Sequence, residues 1–307
     1  MHSIILLAFF EVSRTANSMC AAGVVLLLIA ILAAKNQIAQ ARGLDKVIAL
    51  TNLCFAVPLA VFGAEHLSGA QFIQNGVPAF VPWHLFWAYF VGFALIAASL
   101  SIATRIAVRW SALLFGLMMF LFVAMIHLPN ALHSHGSRIP WTIVFRECSF
   151  GGGAWLLAAS AMDASRAQFT RVRIKPALIL IGRVLVALAM LFFGIEHFLH
   201  PAGLPGVPLE KQLATWIPAR VLIDYITGAA LLITAAFVLL NRKTRTAATW
   251  LGSWLLLLLL VIYVPVLIAG MLNPSTAVKV EGINYLGDTL LLTGAILAIA
   301  KAAPRTD

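Results

Sequence analysis

Residues 177–197 read ALILIGRVLVALAMLFFGIEH, an apolar run broken by one charge, Arg183, and closed by Phe193-Gly194-Ile195-Glu196-His197. At about 1.5 Å of rise per residue, such a helix crosses roughly 30 Å of hydrocarbon. The rest of the chain has the same character. Of 307 residues, 62% are hydrophobic and 10% are charged, more apolar surface than a soluble fold can bury. Similar runs lie near 19–35, 47–64, 83–103, 109–128, 142–161, 177–197, 219–240, 247–270 and 284–301, the first being barely long enough. The expected fold is all-α, a polytopic membrane protein of about nine transmembrane helices. The first twenty residues lack a basic segment ahead of their apolar run, and Glu11 and Arg14 follow it, so no cleaved signal peptide is expected.

The formal charge of +10 is spread over short clusters between apolar runs, which suits membrane orientation and argues against a nucleic-acid partner. Assigning alternate loops to opposite sides puts fourteen Lys and Arg on one side and six on the other. The bias predicts a cytoplasmic C-terminus and an outer N-terminus in a cell inner (plasma) membrane. Trp83, Trp87, Trp141 and Trp216 then fall near outer span ends, and Trp110 and Trp250 near inner ones. The partner implied by all of this is the lipid bilayer.

The ending of the opening stretch has an earlier copy, Phe62-Gly63-Ala64-Glu65-His66. Further matches follow in order: Val81-Pro82 with Ile217-Pro218, Tyr89-x-x-Gly92 with Tyr225-x-x-Gly228, Thr104-Arg105 and Trp110 with Thr244-Arg245 and Trp250, Pro129 with Pro265. The chain is therefore divided into an N-terminal segment with one helix (1–45), a four-helix unit (46–162), a basic cytoplasmic linker (163–176) and a second four-helix unit (177–307). Both units begin on the same side and run parallel.

Ionisable side chains are expensive inside a bilayer, so those within the spans are candidates for function. Glu65, His66, His84, His127 and Glu147 in the first unit, and Glu196, His197, Asp224, Glu281 and Asp288 in the second, all fall toward outer span ends. The repeated Glu-His pair could serve as a proton relay, a metal-ligand pair or a hydrogen-bonding partner for a quinone head group, because carboxylate and imidazole both exchange protons near neutral pH. The competing reading is a helix-end pair that orders the outer loop, since adjacent helical residues diverge by about 100°. Tyr225, Asp288 and Arg183 are candidates for contact with a cofactor. Arg183 alternatively extends its guanidinium to the inner headgroups, and Asn52 takes its place in the first unit. His127, His133 and His135, with Met118, Met119 and Met125 nearby, are weak candidates for a soft metal, their spacing matching no strong ligand signature. Cys20, Cys54 and Cys148 form no C-x-x-C pair. The segment 203–218, GLPGVPLEKQLATWIP, reads as a short amphipathic outer element that lies on the membrane or caps a pocket, and Gly151-Gly152-Gly153 as a place of close helix approach.

The F-G-x-E-H ending, the loop closing on [VI]-P, the Y-x-x-G helix and the arginine-bearing inner turn resemble the DoxX-like family of small four-helix membrane proteins, here in tandem. Residues 175–303 match best, with Arg183 where such chains often carry an arginine; the unit at 46–162 departs from the pattern at Asn52. The resemblance implies a redox- or quinone-associated role, with quinone as the conceivable cofactor and a soluble redox protein as a possible partner. Two alternatives from the residues stand beside it: a small-solute or proton transporter, which needs a polar path through both leaflets, and a non-catalytic membrane scaffold for a redox partner.

Overall fold

The computed structural model describes residues 2–134, 136–162 and 171–304. They form helices α1 (His2–Gln40), α2 (Asp45–Ala49), α3 (Thr51–Ser68), α4 (Ala70–Ile73), α5 (His84–Thr104), α6 (Val108–Phe122), α7 (Leu128–His133), α8 (Ile139–Ser160), α9 (Arg171–Leu199), α10 (Arg220–Leu239), α11 (Thr244–Leu258), α12 (Val264–Met271) and α13 (Thr276–Ala302). Among the described residues eight continuous rods are long and apolar enough to cross a membrane: Arg14–Gln40, Asp45–Ser68, His84–Thr104, Val108–His133, Ile174–Leu199, Arg220–Leu239, Thr244–Met271 and Thr276–Ala302. The molecule is an all-α membrane protein. Its outer faces are apolar, with Leu114, Ile233 and Leu260 each more than half exposed. The leading helix α1 extends well beyond the 19–35 expected from hydropathy, and α9 begins at Arg171, inside the stretch expected to be linker.

α8 is the exception among the long helices, because it carries Arg146, Glu147 and three consecutive glycines. Its position explains the tolerance. It packs against α6, α9 and α13, so protein rather than lipid surrounds it. Successive helical residues point about 100° apart, and each of the three glycines faces a different neighbour. A Cβ at Gly151 would stand 2.7 Å from the Phe120 ring of α6, one at Gly152 3.0 Å from the Gly182 carbonyl of α9, and one at Gly153 2.3 Å from Ala295 of α13. α13 is likewise enclosed, with 89% of its apolar window buried. α3 packs on α13 just as α9 packs on α8, and α8 and α13 meet at the centre.

The repeated motif is a helix-crossing motif. Gly63 of F-G-x-E-H faces Gly92 of Y-x-x-G across α3 and α5, where an added Cβ would meet the Gly92 carbonyl at 3.1 Å; Gly194 faces Gly228 across α9 and α10 at 3.0 Å. Without side chains at these points the backbones come close enough for dispersion to act over a long seam.

Several backbone features occur twice along the chain at one fixed spacing. Trp83, Arg105 and Ala107 have positive φ, and so do Ala219, Asn241 and Lys243. Wide π-turns occupy Val123–His127 and Leu259–Tyr263, each followed by a proline that cannot donate to the preceding turn. Each of these pairs lies 136 positions apart. That spacing pairs Arg105 with Asn241 and Arg109 with Arg245, one helical turn away from the Thr104-Arg105 and Thr244-Arg245 match suggested by the residues.

The α8–α9 contact offers a direct check. In Gly182→Ala the new Cβ would meet the Gly152 carbonyl at 2.4 Å, a backbone atom that cannot rotate away. The overpacking, about 1–3 kcal/mol in typical cores, should outweigh the roughly 1 kcal/mol that Ala gains over Gly in a helix. Thermal unfolding in detergent should show a lowered Tm, whereas Gly76→Ala, with nothing within 4 Å, should leave it unchanged.

Candidate functional site

Both F-G-x-E-H motifs finish at the same end of the bundle, here called the motif end; the turns at Arg105–Ala107 and Asn241–Lys243 mark the opposite, or turn, end. At the motif end the adjacent Glu and His separate, as their 100° divergence requires. Glu196 reaches α8, where its Oε2 accepts from Arg138 Nη1 at 3.3 Å, and it also lies 3.1 Å from Nδ1 of His200. His197 turns inward and is fully buried, its Nδ1 2.8 Å from Oδ1 of the equally buried Asp224. This is an ion-pair distance, but neither atom makes an aligned hydrogen bond. The other ring nitrogen, Nε2, accepts from the Gly206 N–H at 3.1 Å. One nitrogen of His197 thus faces Asp224 and the other is taken by backbone.

The segment 203–218 is not helical. It folds into the motif end as an irregular cap with one antiparallel bridge, Gly203 to Gln212. Leu204, Val207 and Leu213 are buried in the core. Asp224 Oδ2 accepts from the Gly203 N–H, the Tyr263 hydroxyl donates to the Pro205 carbonyl at 2.6 Å, and the Lys211 N–H donates to the Tyr285 hydroxyl. Arg138 also donates to the carbonyls of Pro208 and Leu209. Gly206, at φ +117°, has the left-handed backbone that a side chain would strain.

Beneath the cap lies a second group of charges that joins α8 to α13. Arg146 donates to Glu147 Oε1 from Nε at 3.1 Å and from Nη2 at 2.7 Å, and from Nη1 to Asp288 Oδ2 at 2.8 Å. Glu65 accepts from Asn284 Nδ2 at 3.0 Å and stands within electrostatic reach of Arg146 and Asp288. His127, half-buried on its π-turn, is close enough to feel both Arg146 and Glu147. Tyr263 lies between the two groups, within reach of Asp224 and Asp288. One guanidinium thus serves several carboxylates, and the excess of acid has to be met by protons or by a cationic group, since uncompensated charge is costly at membrane depth. The Arg146 side chain keeps 18% of its surface.

His197 and Asp224 are brought together, and Glu65 lies within electrostatic reach of Asp288, whereas Glu196 pairs with Arg138 and His200 instead. His66 is not part of this assembly, its Nδ1 resting 2.8 Å from its own helix's Phe62 carbonyl. Tyr225 points outward, stacked on Phe198 at 5.5 Å beside a shallow apolar groove, away from Asp224. Arg183 does not join the site either. It lies toward the turn end, about 20 Å along α9 from Glu196, and pairs with Asn241. His133 bonds the Pro129 carbonyl and His135 lies outside the described residues. Among the described residues no three His, Cys, Asp or Glu gather as a metal set. The residue that sequence reasoning missed is Arg146, counted among loop cations near a span end. Its adjacency to Glu147 two turns inside α8 was the available signal. Comparison with family models, curated proteins and solved structures gives no match.

The cap makes a graded prediction. Asp224→Ala leaves His197 buried opposite nothing, a loss of about 3–5 kcal/mol when one member of a buried pair is removed, while Tyr263→Phe gives up one hydrogen bond, about 1 kcal/mol. Trypsin cleavage after Lys211 should accelerate slightly in Tyr263→Phe and strongly in Asp224→Ala. Equal resistance in all three proteins would mean the cap is held by other contacts.

Proposed function

We propose that the chain is a multi-pass inner-membrane protein of the DoxX-like kind with a quinone-linked, redox-associated function, in which the Arg146–Glu147–Asp288 cluster exchanges protons at the outer face. Reducing a quinone to a quinol takes two electrons and two protons. The chain would supply the protons, and a soluble redox partner the electrons. The observation that carries this reading is the excess of carboxylate around a single, partly exposed guanidinium at the motif end. Glu147 and Asp288, with Glu65 beside them, are the groups positioned to hold and return a proton.

The turn-side half of the centre favours a one-sided site over a transport path. From Leu290 to Ala300, α13 is buried and apolar apart from Thr293, whose hydroxyl bonds its own helix at Thr289. Nothing polar continues from the cluster through this stretch among the described residues. A transporter in this conformation would be closed by packed side chains. The scaffold reading explains the cap but gives no use for the buried charges.

We further infer nine crossings built as a leading helix and two parallel four-helix copies. The reciprocal packing of α3 on α13 and α9 on α8, the shared π-turns and the shared left-handed turns support the duplication. The excess of Lys and Arg at the turn end supports its cytoplasmic placement.

Two experiments test these statements. Asp288→Asn and Glu147→Gln keep shape while removing charge; in lipid nanodiscs each should lower quinone binding or quinone-linked turnover at least about tenfold, on the scale of one lost charged hydrogen bond. Folded variants that bind and turn over quinone as the parent does would sink the site. For orientation, single cysteines at Ser137 and Ile106 in a background lacking Cys20, Cys54 and Cys148 should react with an impermeant maleimide on intact cells at 137 and not at 106. The reverse pattern would invert the topology.

A further inference from the structure

A cavity of about 610 Å³ opens at the turn end, between the ends of α1, α8 and α13, the start of α3 and the turn joining α5 to α6. Its polar lining is Gln37, Asn52, Arg105, Arg109, Ser160 and Lys301. Three of these are cations. Lys301 Nζ donates to Asn52 Oδ1 at 2.6 Å, Arg109 lies over the Trp110 ring at 5.2 Å, and no carboxylate of the described residues pairs with Arg105, Arg109 or Lys301.

The corresponding place in the other half differs. There the first-helix arginine, Arg183, meets the turn asparagine, Asn241; here the residues are exchanged, with Asn52 on the helix and Arg105 in the turn. Lys301 has taken Asn52, which leaves the Arg105 guanidinium without it. Arg245, the counterpart of Arg109, is paired with Asp45 and donates to the Ala300 carbonyl. At one turn Arg183 and Arg245 thus find partners in Asn241 and Asp45, while at the other three cations and two amides face one space. Like charges held together in a partly desolvated cavity repel, and an anion relieves that repulsion. Guanidinium forks and an ammonium suit phosphate oxygens in particular.

We propose that this cavity binds a phosphate group, carried by an anionic phospholipid or free in solution. The volume accommodates a phosphate together with a glycerol-sized substituent. Trp110 and Ile106 beside it are largely exposed and apolar, as expected where acyl chains meet headgroups. The proposal does not depend on the quinone reading.

The test uses the full chain in neutral phosphatidylcholine nanodiscs, titrated in one arm with inorganic phosphate and in the other with short-chain phosphatidic acid. Binding is read by native mass spectrometry and by thermal stabilisation. Arg105→Asn installs the residue that the other half carries at the same left-handed position, so the turn should survive; Arg109→Gln keeps the stem. Each should weaken phosphate-group binding about tenfold, with a steep salt dependence, whereas Arg242→Gln should change nothing. Saturation by inorganic phosphate alone identifies a free-anion site, and response only to phosphatidic acid identifies a lipid site; both uphold the proposal. Failure of both ligands to bind at millimolar concentration, or unchanged affinity in folded Arg105→Asn and Arg109→Gln, overturns it.

Discussion

Three glycines in a row on α8 set the geometry on which the remainder of the bundle depends. With no Cβ at 151, 152 and 153, three helices approach one central helix to near backbone contact, each from its own direction. In a bilayer the hydrophobic effect does not press helices together, so close packing and directed polar contacts have to hold them. α8 is also the helix least able to face lipid, because it carries Arg146 and Glu147. Enclosure and charge are therefore linked: the glycines allow α8 to be surrounded, and being surrounded by protein lets it keep an ion cluster at membrane depth.

That cluster ties α8 to α13, and the motif glutamates bridge the same interface from outside, Glu65 to Asn284 on α13 and Glu196 to Arg138 at the start of α8. The motif thus has two structural duties, a glycine for the local crossing and a glutamate for the longer span. The histidines diverge. Asp224 lies where the other half has Ala88, and with it come the inward-facing His197 and the inserted cap. His66, lacking such a partner, returns to its own helix backbone.

Much of this was legible in the residues. Hydropathy located every long helix, though it shortened α1, and the repeated F-G-x-E-H pointed to the end where polar groups gather. The divergence of adjacent Glu and His followed from helical geometry alone. Other features were hidden for specific reasons. Arg146 was counted with the flanking cations although the expected span 142–161 already contained it, because its partner Asp288 lies on a distant helix. For the 203–218 segment the residues left a membrane-surface element and a cap both open, and the bonds it makes to side chains of distant helices make it a cap.

The sequence by itself determined that this is a helical membrane protein with a motif used twice, because membrane depth forbids most other arrangements of such apolar runs. Only the tertiary structure decided which charges meet. Arg146 and Asp288 are 142 positions apart and pair because α8 and α13 cross at the centre. Arg105, Arg109 and Lys301 share one cavity because three helix ends and a turn converge there. Such contacts depend on which helices are neighbours, and local periodicity carries no record of that.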